Sequence, residues 1–227
     1  MKKLIAFFLF AFIALTTINA ANPTPKPYKV DAAKSTFKWT GKKVAGEHWG
    51  YVKFSGGQLT TENNAVTGGS FTVDMTSIDV QDLQGEWAGK LAGHIKGDDF
   101  FGTDKFPSST LVLKSVTSKG GNEYDVKADL TIKGITNEVM FPATITTTAT
   151  EVTTKATFKV NRIKYGIKYN SGNFFKDLGD KAIDDEFTVD VNLVANAEAS
   201  AAPAAATKVK STKKGKKKKA VKTAENK

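Results

Sequence analysis

Apolar and polar residues alternate with a period of two through most of the chain. Phe37 and Trp39 are separated by lysine, and the same spacing recurs in Phe71, Val73 and Met75 and in Tyr124, Val126, Ala128, Leu130 and Ile132. It is cleanest in Phe187, Val189, Val191 and Leu193, where Thr188, Asp190 and Asn192 face the other way. Successive side chains of an extended strand point to opposite faces, so each run predicts a strand with one buried face. Turn residues punctuate the runs at Gly56-Gly57, Glu62-Asn63-Asn64, Gly68-Gly69, Gly120-Gly121-Asn122 and Gly134 with Asn137. Roughly eight to ten short strands at this spacing predict an antiparallel sandwich or barrel.

One segment departs from the period. Leu83, Trp87, Leu91 and Ile95 recur at every fourth residue, which predicts a helix from about Asp82 to Lys96 with those four on its packed face. Gly85, Gly89 and Gly93 form a second four-residue series. A single glycine-weakened helix in an all-β chain reads as a lid or plug for one barrel end. Alternatively, the glycines mark close packing onto the sheet.

The chain ends differ from this body. Residues 1–20 carry Lys2 and Lys3, an apolar run from Leu4 to Leu15 and a small-residue exit at Asn19-Ala20-Ala21, the layout of a secretory signal peptide. The run is shorter than the roughly 20 residues that span a bilayer. The expectation is therefore an exported protein, periplasmic or secreted. A Pro-rich leader follows at 21–27, then the folded body at 28–195, then a Lys- and Ala-rich tail at 196–227 that is expected to be disordered. The absence of cysteine excludes disulfides and thiolate metal sites.

Charge sharpens this division. The net +10 comes from the ends: the tail holds ten lysines against two acids, while residues 21–195 hold 20 lysines and Arg162 against 21 acids. A neutral body argues against nucleic acid as a partner, because tracking a phosphate backbone takes a basic folded face. The tail reads either as a contact with an anionic envelope surface or as a solvated appendage.

Catalytic motifs are missing from the chain: it has no G-x-S-x-G, P-loop, G-x-G-x-x-G or H-E-x-x-H. With His48 and His94 the only histidines, neither catalytic residues nor a metal site are expected, and the chain is read as no enzyme. What remains is apolar volume, with 15 Phe, three Trp and five Tyr. An eight-stranded barrel either fills its interior with such side chains or holds one small apolar ligand.

Five segments, in order, resemble the YceI-like family of exported lipid- or polyisoprenoid-binding proteins. They are Trp39 to Gly50 leading to Phe54-Ser55-Gly56-Gly57; Leu91 to Phe101 followed by Lys105-Phe106-Pro107; and Asp129 to Thr136 closing with Phe141-Pro142. The fourth is Phe158 to Ile167, and the fifth is Leu178-Gly179-Asp180 with Ile183 to Val191. The resemblance implies an extended, lipocalin-like antiparallel β-barrel of about eight strands with one short helix near one end. It also implies an apolar tunnel for an isoprenoid or fatty-acyl chain, with no cofactor beyond that lipid. Expected to line the tunnel are Trp39, Trp49, Phe71, Met75, Trp87 and Leu91. Phe101, Leu130, Phe141, Phe158 and Phe187 complete that lining. His48, His94 and Arg162, the only arginine, are expected at a polar mouth. Each has a second reading as a structural residue, with Arg162 paired to Asp180, Asp184 or Asp185.

Overall fold

The structure, a computed structural model, describes residues 24–198; the signal-peptide expectation and nearly all of the tail lie outside them. Nine strands run as β1 (Lys26–Val30), β2 (Thr36–Lys43), β3 (Gly46–Glu62), β4 (Ala65–Asp74), β5 (Ser108–Gly120), β6 (Glu123–Ile132), β7 (Ile135–Thr147), β8 (Glu151–Asn161) and β9 (Ile183–Ala197). Among the described residues one α-helix, α1 (Gly85–Lys96), lies between β4 and β5, and three short 3-10 turns complete the helical content. All pairings are antiparallel, in the order β3-β2-β9-β8-β7-β6-β5-β4, and the β3–β4 pairing closes the barrel.

Eight positions hold nine strands because β1 and β2 share one. Each runs antiparallel to both β3 and β9: Lys26 faces Thr61 and Tyr28 faces Ala197 in the first, while Phe37 faces Val52 and Val191 in the second. Between them Asp31 turns the chain, its carboxylate accepting from the Ala33 and Lys34 amides. Ser35 then rejoins the ladder, its hydroxyl donating to the Val194 carbonyl and accepting from the Val194 amide. The barrel therefore starts inside the predicted leader, at Lys26, and β9 runs two residues past the predicted end, to Ala197.

Asn63 and Asn64, both at positive φ, make the β3–β4 turn, and Lys133-Gly134 makes the β6–β7 turn. The glycine pairs at 56–57 and 68–69 are not turns. They lie inside β3 and β4, where the register shifts between Phe54 and Gly56, and a Cβ on Gly57 would fall 2.9 Å from the Ser70 carbonyl oxygen. Gly57 and Gly69 let the two strands approach closely, whereas a Cβ on Gly56 or Gly68 would meet nothing within 4 Å.

Inward alternation builds the core. Its main cluster includes Tyr28, Phe54, Leu59, Val126 and Val152 and takes in Ile95 of α1, and a second cluster of Ile132, Val160, Tyr165, Ile167 and Val189 packs against Phe100 and Phe101 of the loop after α1. The helix is shorter than predicted and rotated from its expected face: Ala88, Leu91, Ala92 and Ile95 pack inward, Leu83 precedes it, and Trp87 is 69% exposed. At 3.6 residues per turn an every-fourth-residue series drifts by about 40° per step, so four such residues cannot share a narrow face. The glycine series points outward, and a Cβ on Gly89 or Gly93 would meet nothing within 4 Å. Close packing onto the sheet is therefore not the reason for it.

Candidate functional site

Inside the barrel runs an apolar cavity of about 160 Å³. β9 contributes Phe187, Val189, Val191 and Leu193, every second residue, so the lining extends over roughly 20 Å at about 3.3 Å per residue. Facing them from β8 are Thr154, Ala156, Phe158 and Val160. Ile95 of α1 and Phe101 of the following loop close one end. Among the described residues the lining includes three hydroxyl side chains, Ser109, Thr110 and Thr154, and no charged one. An apolar cavity of roughly this size stays dry and accepts an apolar guest.

Aromatic pairs give the lumen its shape. Phe141 and Phe158 stack at 4.3 Å between centroids, nearly parallel, while Phe37 meets Phe54 and Phe101 meets Phe187 edge to face. Trp39 lines the wall and donates its indole N–H to the Asp79 carbonyl at 3.1 Å, which fastens the segment leading to α1. The same segment continues the β3 ladder: Asp79 and Gln81 donate to the Tyr51 and Trp49 carbonyls. A Cβ on Gly50 would fall 2.0 Å from the Asp79 carbonyl oxygen, so only glycine fits beneath this crossing.

Of the residues named for the tunnel, Trp39, Phe71, Met75, Phe101, Leu130, Phe141, Phe158 and Phe187 line the cavity. Trp49, Trp87 and Leu91 do not. Trp49 has the opposite strand parity to Val52 and Phe54, so it lies outside, edge-on to Tyr51 with the Lys38 ammonium 4.4 Å from its ring centre. Trp87 faces solvent with Lys90 over its ring, and Leu91 packs on the core beside the cavity. Phe37 and Phe54 also line the wall and follow from the same alternation. Ser109 gives no sequence signal, standing in a run of Ser108, Ser109 and Thr110.

The three polar candidates do not form a mouth. His48 bonds Asp82 at 2.7 Å through Nδ1, and the other Asp82 oxygen accepts from the Trp49 amide at 2.8 Å. Burial opposes the Asp82 charge, but the Trp49 amide and the His48 ring outweigh it and hold the carboxyl below its ordinary pKa. His94, on the last turn of α1, lies 3.3 Å from Asp99 and edge-on to Phe100 and Tyr169. Each histidine fastens one end of the helical segment to its surroundings.

Arg162 is 3% exposed and binds the main chain. Its Nε donates to the Asp184 carbonyl at 2.8 Å, Nη1 to those of Ile167 and Tyr169 at 2.9 and 2.8 Å, and Nη2 to that of Ile183 at 2.9 Å. Asp185 supplies the counter-charge at 3.6 Å. Burial lowers the guanidinium pKa against the pull of Asp185 and Asp184. The arginine holds the 162–169 loop to the start of β9, so the polar-mouth assignment is corrected to a structural one. Among the described residues no group of three or more His, Asp or Glu is placed to hold a metal ion.

A family model for the YceI-like domain matches residues 28–195. A UPF0312 protein of Staphylococcus aureus (strain USA300) is 44% identical over 84 residues, covering 34% of this chain and 46% of that protein, so the chain spans about half the length of the curated relatives it matches. Among solved structures, Burkholderia cenocepacia BcnA superposes with a TM-score of 0.60 at 26% identity, covering 73% of this chain and 98% of its own. A polyisoprenoid binding domain from Saccharophagus degradans, implicated in plant cell wall breakdown, shares the fold with a TM-score of 0.56 at 15% identity, over 75% of this chain and 98% of that one.

Proposed function

The chain belongs to the YceI-like domain family, and on that footing we propose that it is an exported binding protein, periplasmic or secreted, that holds a long isoprenoid or fatty-acyl chain for carriage or storage. The observation that carries this reading is the long lumen, lined almost wholly by apolar side chains and closed at one end by α1 and its following loop. Each methylene moved from water into such a lining contributes about 0.8 kcal/mol. A free volume near 160 Å³ is narrow for a long chain, so loading requires side chains such as the stacked Phe141 and Phe158 to rotate aside. Neither histidine reaches the lumen and no charged side chain lines it among the described residues, which supports holding a lipid over converting it. The polyisoprenoid-binding neighbour is consistent with the same ligand class, and export rests on the signal-peptide layout of Met1 to Ala20.

The test is organic extraction of the purified, well-folded protein followed by mass spectrometry. The expected result is an unmodified isoprenoid or acyl lipid in stoichiometric amount. A folded protein that yields none and takes up none from added lipid overturns the proposal.

A further inference from the structure

Among the described residues, Ser109 is the one lumen-lining residue whose buried side-chain oxygen lacks any hydrogen-bond partner. It is 7% exposed, and on β5 it shares inward parity with Leu111 and Leu113, which also line the cavity. β5 begins beside the segment that leads to α1: Met75 donates its amide to the Pro107 carbonyl, and Ser109 faces Val73 across the β4–β5 pair. Ser109 therefore sits toward the helix end of the lumen. Alanine or valine would suit an all-apolar wall at that position, whereas an unpartnered buried hydroxyl carries a desolvation penalty.

We infer that Ser109 is the hydrogen-bonding anchor for a ligand oxygen inside the lumen, and that the ligand is an uncharged chain bearing a hydroxyl or carbonyl at the end nearest α1. The inference rests on the lipid-binding reading above and narrows its ligand class. A hydroxyl both donates and accepts, so it serves an alcohol or a carbonyl equally. A carboxylate or phosphate at this depth would find no cation, since no charged side chain lines the cavity among the described residues. Water is a poor occupant of the spot, because a buried water needs two to four polar partners and Leu111, Leu113 and Val116, the further apolar lining of β5, offer none, leaving Thr110 as the one other hydroxyl that strand brings to the cavity. A chain-borne oxygen avoids that requirement, since burial of its tail holds it in place.

The test uses delipidated full-length protein loaded with the fluorescent apolar probe N-phenyl-1-naphthylamine, displaced by decan-1-ol or by undecane, which match in length and differ in the terminal oxygen. In Ser109→Ala the preference for decan-1-ol over undecane is expected to fall about 2- to 10-fold, the worth of one hydrogen bond, with undecane affinity unchanged. Ser109→Thr, which keeps a hydroxyl, is expected to retain the preference. If Ser109→Ala does not fold, Ser109→Thr against Ser109→Val makes the same comparison. Equal weakening of both ligands, or a preference that survives the loss of the hydroxyl, overturns the assignment while leaving the lipid-binding reading intact. Failure of undecane to displace the probe from any variant sinks that reading itself.

Discussion

A guanidinium that donates to four main-chain carbonyls acts as a cross-link between the 162–169 loop and the start of β9. Lysine offers three donors from a single point and cannot span these acceptors. Arg162→Lys is therefore expected to cost about 3 kcal/mol, read as a lower urea midpoint, because buried carbonyls lose their partners at about 1–3 kcal/mol each. Its decan-1-ol preference should match the parent's. In the sequence the solitary arginine marked an unusual position but not its role, because the acceptors are backbone atoms and carry no side-chain signature. Next to it, Tyr165 is 1% exposed, and burial raises its pKa from 10.0 to about 12, with Asn137 pulling weakly the other way. A raised folded-state pKa means this contribution is fully present below pH 10 and is lost as pH rises from 10 toward 12. At about 1.4 kcal/mol per pKa unit the loss is about 2–3 kcal/mol. Tyr165→Phe should lack this alkaline decline, checked by comparing melting temperature against pH for the two proteins.

At the scale of elements, α1 retains glycines that its packing does not require. Gly89 and Gly93 are helical, solvent-facing and unobstructed, so Gly89→Ala and Gly93→Ala should each stabilise by about 0.5–1 kcal/mol. Thermal denaturation of the single and double variants checks this, and near-additive gains are expected. Gly85, at φ +57°, should not tolerate the same change. The strands were legible where a long run alternates, as in β9, whose inward four all line the lumen. Legibility failed where parity is masked: the stretch from Gly46 to Gly50 mixes glycine, histidine and tryptophan, and Trp49 was placed on the wrong face. Glycine pairs mislead in another way, because a turn and a close strand approach, as at Gly57 and Gly69, both call for a missing Cβ, and only the neighbouring strand distinguishes them. Ser109 was not legible, since its significance lies in having no partner.

For the molecule as a whole, the barrel and its helix were readable from alternation and from the five ordered segments, but the closing arrangement was not. Lys26 and Pro27 looked like a leader because proline is rare inside sheets. Here Pro27 sits at the start of β1, where its carbonyl accepts from the Glu198 amide at 3.0 Å and its missing N–H costs little. Tyr28, wholly buried, donates its hydroxyl to the Thr148 carbonyl and pins β1 in place. Deleting the chain through Val30 would bare the edges of β3 at Gln58 to Thr61 and of β9 at Ala195 to Ala197. The expected outcome is a large loss of stability with concentration-dependent association, measured by denaturant titration and size-exclusion chromatography.

The shared position of β1 and β2 also sets an order of events. β1 lies between β3, made early, and the last residues of β9, made last. During synthesis from the N-terminus, the first strand has only one neighbour to pair with until the final strand emerges. The slowest, longest-range pairing is thus deferred to the end of folding, as high contact order implies. Until β9 pairs with β8 and with β2, the barrel wall is incomplete along one side.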